Sequence, residues 1–99
     1  DLARRAKPAS AEKESARQEQ DAERAARREA ARAAEQLAHR RNEIETAIQQ
    51  LEARLRGLEM ELAVASTAQD VGRVTRLGVE HSRVRAELDA QLALWEELV

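Results

Sequence analysis

Aliphatic residues fall at Ile44, Ile48, Leu51, Leu55, Leu58 and Leu62 in alternating steps of four and three, the spacing of a and d positions in a heptad. A polar break follows, in which Ser66, Thr67, Gln69 and Asp70 carry side chains that compete for backbone hydrogen bonds. Beyond it a second stripe carries Val74, Leu77, His81, Val84, Leu88, Trp95 and Leu98. Two apolar stripes joined by a short turn close on each other as an antiparallel helical hairpin. The pattern predicts a helix over about 43–65, a turn over 66–70 and a helix over about 71–98. Ser66, with Gln69 three residues later, and Asp70 are both candidate caps for the second helix; Asp70 is preferred because Val71 opens the new run.

Folding about this turn pairs positions whose numbers sum to about 136: Leu62 with Val74, Leu58 with Leu77, Leu55 with His81, Leu51 with Val84, Ile48 with Leu88, and Ile44 with Leu92. Past Leu88 the stripe is expected to drift toward Leu92, Trp95 and Val99, a spacing nearer 3.6 than 3.5 that relaxes the supercoil. Trp95 then faces Arg41, which predicts a cation–π contact at the open end. Gly57 and Gly78 lie off the seam, each costing about 1 kcal/mol of helix propensity.

Upstream the apolar side thins to alanine. The heptad continued backwards meets Arg41, Leu37, Ala34, Ala30 and Arg27, so the drive to pack fades toward the N-terminus. Pro8 interrupts helix continuation and Ser10 is a candidate N-cap, so residues 1–10 read as a linker. Residues 11–42 lack further Gly and Pro and read as an Ala/Arg/Glu-rich arm, helical or partly disordered, frayed or dependent on a partner. Residues 43–99 form the hairpin.

Charge changes the picture in one respect. Residues 1–42 hold 11 Lys/Arg against 8 Asp/Glu, whereas residues 43–99 hold 6 against 11, so a basic arm precedes an acidic body. With 36% charged residues, one aromatic and mean hydropathy -0.70, the 99 residues predict an all-α chain without a thick core. Cysteine is absent, and no apolar run has the length of a membrane span or a signal-peptide core, so the expectation is a soluble, cytoplasmic protein. Met60 is the only methionine, which reads as an excised or processed piece of something longer.

Catalytic motifs are missing. His39 and His81 lie far apart on different helices, so His81 reads as a polar interruption of the seam and no metal site is expected. Glu45, Glu52 and Glu59 recur at e-like positions, where flanking solvation is the ordinary role. Gly57, Gly72 and Gly78 are scattered and form no phosphate cradle. The fragment itself is therefore not expected to be an enzyme. Arg17, Arg24, Arg28 and Arg32 project within one helical face about 80° wide, an arrangement suited to phosphates, although Glu14, Asp21 and Glu35 share that face. Without Phe or Tyr the usual stacking platforms are absent.

The stretch IETAIQQLEARLRGLEMELAVASTAQDVGRVTRLGVEHSRVRAELDAQLALWEELV, from Ile44 to Val99, resembles the C-terminal coiled-coil extension of the ABC-F family, soluble tandem ATP-binding-cassette proteins acting in translation. The resemblance rests on the leucine-glutamate run ending at Leu62, the turn closed by Asp70, the Arg73–Glu80 segment RVTRLGVE, and the terminal Trp-Glu-Glu-Leu of 95–98. It implies ATP and Mg in cassettes of a parent protein, with no cofactor in this fragment. It further implies a hairpin that contacts ribosomal RNA, the ribosome or DNA. Lys13-Glu14 is the one counterpart of the Lys-Glu stretch in that family's linker, whose aromatic residues are lacking here. Charge nominates Arg24, Arg28 and Arg32 on the arm, and Arg73, Arg76 and Arg83 on the second helix, as nucleic-acid contacts. The competing reading is a structural or protein-interaction coiled coil that self-associates without a nucleic-acid role. A monomer with no membrane partner is favoured, the coiled-coil dimer being the alternative.

Overall fold

A computed structural model describes the backbone of residues 2–99 and the side chains from Ala9 onward. Two helices account for nearly all of it: α1, Leu2–Thr67, and α2, Val71–Leu98. They divide into two compact units, Asp1–Gln36 and Leu37–Val99. The second is the hairpin of α2 against the C-terminal half of α1.

The first unit corrects an expectation. Helix does not begin at a Ser10 cap, because α1 already runs from Leu2, and it does not restart near residue 43. Helix continues through Pro8, which gives up one intrahelical hydrogen bond, because the surrounding Ala, Arg and Glu are strong helix formers. Asp1 lies outside the described residues.

In the hairpin the heptad positions become the core. Ile44, Leu55, Leu58, Leu77, Val84 and Leu88 are buried, with Leu58 completely inaccessible, and Ile48, Leu51, Leu62 and Val74 pack partly buried against them. Ala65 is also fully buried, three residues beyond Leu62, so the seam has one more rung than its leucines suggest. That rung carries α1 past its expected end near Ala65 to Thr67, whose hydroxyl donates to the Ala63 carbonyl at 3.0 Å.

The far end of the seam also differs from expectation. Gln91, Trp95 and Leu98 are half-buried, whereas Leu92 is 37% and Val99 72% exposed. The stripe does not drift toward 3.6; it holds the heptad through Gln91, because packing against α1 keeps both helices wound to 3.5 residues per turn. Arg41 is held by the end of α2. Its Nε donates to the Leu98 carbonyl at 3.0 Å, and its Nη2 donates to the same oxygen. The last carbonyls of a helix lack intrahelical donors, and a guanidinium supplied from the neighbouring helix satisfies one of them.

Three residues reverse the chain. The Asp70 N–H donates to Ala65 O and the Gln69 N–H to Ser66 O, both at 3.0 Å, while Gln69 holds φ at 56°. This nested pair of bonds around a left-handed residue is the Schellman ending of a helix. Asp70 then starts α2: its Oδ1 accepts from the Arg73 N–H at 3.1 Å. One residue closes the first helix with its backbone and caps the second with its side chain.

Candidate nucleic-acid interface

Positions facing solvent on these helices decide which arginines are available to an anion. On the first unit every described side chain from Ala9 to Gln36 is exposed. There Arg24 Nη2 lies 3.5 Å from Asp21 Oδ1, one helical turn away. Among the described residues Arg28 and Arg32 make no ion pair; they stand four residues apart on the same face.

On the hairpin the three nominated arginines separate. Arg83 Nη1 sits 3.2 Å from Glu87 Oε1 and its Nη2 4.0 Å from Glu80 Oε1. Glu80 in turn accepts from Arg54 Nη2 at 2.6 Å, which joins α1 to α2 across one flank of the seam. The hydrogen bond to Glu80 and then its charge, with a smaller contribution from Glu61, push the exposed Arg54 guanidinium upward, so it stays cationic throughout the ordinary pH range. Arg83 is thus half of a mixed-charge ladder. Arg73 and Arg76 have no such partner among the described residues. They are the sole charges on α2 between Val71 and Val79, and both are exposed beside the turn.

The nominated set therefore divides into two local patches. Arg28 and Arg32 belong to one unit, Arg73 and Arg76 to the other, while Arg24 and Arg83 are partly neutralised by neighbours on their own helices. Charge counting along the sequence missed this division. The signal was present in part: Glu80 and Glu87 flank Arg83 at three and four residues, the helical spacing for ion pairs, and Arg73 has only the capping Asp70 at such distances, whereas Arg76 has Glu80 four residues on, a carboxylate that Arg54 of α1 takes instead. An apolar component was missed as well. Met60, Val64, Val71 and Val79 are 71%, 61%, 76% and 68% exposed, all toward the turn end of the hairpin.

The remaining polar groups are paired locally or exposed. His39 Nε2 pairs with Glu43 Oε1 at 2.9 Å on its own helix, and His81, at the edge of the seam, lies 3.4 Å from Glu59 Oε1. Glu45, Glu52 and Glu59 form an exposed row at seven-residue spacing, and no group of three potential metal ligands occurs among the described residues. Gly57 and Gly78 are interior residues of α1 and α2. No described helix is long and apolar enough to cross a membrane.

The family model described as ABC transporter C-terminal domain matches residues 32–99, taking in the whole hairpin and the last residues of the arm, Arg32 included. Arg24 and Arg28 lie upstream of that match. No curated protein and no solved structure matches the chain.

Proposed function

The chain belongs to the ABC transporter C-terminal domain family, and on that premise we propose that it is the coiled-coil arm of an ABC-F type protein, touching the phosphate backbone of ribosomal RNA or DNA. In this reading ATP and Mg serve cassettes elsewhere in the parent. This fragment contributes no catalytic group, and its setting is the cytoplasm. The observation that carries it is the pair Arg73 and Arg76: exposed, free of ion-pair partners among the described residues, and beside the turn within the family-matched span. Arginines so placed gain from counterion release when they meet phosphate, a term independent of base sequence. The ordinary aromatic contribution to single-strand binding is small here, since Phe and Tyr are absent and the one Trp is half-buried. Structured duplex is accordingly the better ligand.

Binding of the chain to duplex DNA, single-stranded DNA and ribosomes at two salt concentrations tests this. The expected result is duplex or ribosome binding that weakens as salt rises, with Arg73→Ala/Arg76→Ala lowering the log–log salt slope by about 2. Affinity that is absent at low salt, or a slope indifferent to both arginines, would refute the proposal.

A further inference from the structure

The outward face of α2 carries hydroxyls that the charge argument leaves unused. Gly72, Thr75, Arg76, Val79, Ser82 and Arg83 project within a sector about 120° wide, on the side of the helix away from the buried Leu77, Val84 and Leu88. All six are exposed. Glu80 is the one carboxylate between Val71 and Ala86, and it is drawn toward α1, where Arg54 Nη2 lies 2.6 Å from its Oε1. A hydroxyl followed by an arginine occurs twice on this face, as Thr75-Arg76 and as Ser82-Arg83. The two pairs stand seven residues apart, about 10 Å along the axis on nearly the same side. Gly72, Thr75 and Ser82 are short, so the helix backbone can come close to whatever lies against this face.

The Thr75 hydroxyl is committed in one direction. Its Oγ1 donates to the Val71 carbonyl at 2.9 Å, so its single proton is used inside the helix and only its lone pairs are offered outward. A phosphate oxygen is also an acceptor, and two acceptors do not bond. The ribose 2′-hydroxyl is a donor, and in an A-form duplex it lines a wide, shallow minor groove beside the phosphates. The sugar–phosphate backbone of DNA offers no donor, and its minor groove, about 6 Å wide, does not admit a helix.

We propose that this face of α2 distinguishes duplex RNA from duplex DNA, Thr75 accepting a hydrogen bond from a ribose 2′-hydroxyl while Arg76 holds a neighbouring phosphate. Ser82 and Arg83 repeat the arrangement further along α2, with the Arg83 charge partly held by Glu87 at 3.2 Å. The inference rests on the nucleic-acid reading of Arg73 and Arg76 and adds to it which duplex is preferred. Arginine contacts to phosphate are indifferent to the sugar, so the preference comes from the hydroxyl.

Fluorescence anisotropy of the full chain with three duplexes of one sequence tests this: RNA, DNA, and RNA carrying 2′-fluoro groups, which keeps the A-form and removes the 2′ donor. The RNA duplex is expected to bind about fivefold more tightly than either of the others, the effect of one hydrogen bond. Thr75→Val, which retains the β-branched shape, is expected to lower RNA binding about fivefold and to bind the RNA and 2′-fluoro duplexes alike. Arg76→Ala should weaken all three and lower the log–log salt slope by about 1. Circular dichroism of each variant separates loss of contact from loss of helix. Equal binding of RNA and DNA, a 2′-fluoro duplex bound as tightly as RNA, or an RNA preference that survives Thr75→Val would overturn this inference and leave the nucleic-acid reading standing. Absence of binding to every duplex at low salt would overturn both.

Discussion

Gln69 is the residue where local conformation and chemistry disagree most. Its φ of 56° lies in the left-handed region, where an L side chain costs about 1–2 kcal/mol and glycine costs little. The Schellman bonds from Gln69 and Asp70 hold it there. Gln69→Gly is therefore expected to raise stability by about 0.5–1 kcal/mol, part of the relief being offset by the greater freedom of glycine in the unfolded chain. Thermal unfolding followed by circular dichroism checks this; a lower midpoint would show that the strain is not there. At this scale the cap was legible in the sequence and the strain was not. Asp70 followed by an apolar run signals an N-cap, whereas no glycine or asparagine marks position 69 as left-handed.

At the scale of elements, the two stripes and their antiparallel pairing follow from residue spacing, since a heptad buries the same face whichever partner it finds. What spacing did not convey is where a polar residue holds a seam position. Gln91 interrupts the apolar stripe, so the neighbouring Leu92 draws attention, yet the helix keeps its phase and leaves Leu92 37% exposed. Packing over many turns outweighs one side chain's preference for burial. Leu58→Ala, at a fully inaccessible position, is expected to cost about 3–5 kcal/mol, and Leu92→Ala under about 1 kcal/mol. Gln91→Leu should instead stabilise. Urea titrations of the three variants decide the matter, and a Leu92→Ala cost approaching that of Leu58→Ala would return the seam to the drifting register.

For the whole molecule the division into two units is also a division in how helix is maintained. Residues 37–99 bury a continuous core, whereas the described side chains of residues 9–36 are all exposed, and helix there rests on alanine-rich propensity and local ion pairs. Backbone amides of 9–36 in dilute solution are therefore expected to exchange with solvent far faster than those of 44–62. Equal protection in the two segments at low concentration would contradict this assignment. The candidate interface was half legible in sequence: arginine positions were visible, but which of them neighbouring carboxylates already hold emerged only from side-chain geometry around Glu80.

The double duty of Asp70 restricts how such a hairpin can change length. With a single residue ending one helix and starting the next, the turn has no slack to absorb an insertion. One added residue in either helix would rotate everything beyond it by about 100° and turn the apolar stripe out of the seam. Only compensated insertions, seven residues in α1 matched by seven in α2, preserve both the turn and the packing, each such step moving the tip by about 10 Å. The reach of an arm built this way is therefore quantised, and a descendant needing a longer or shorter one would have to gain or lose whole heptads in pairs.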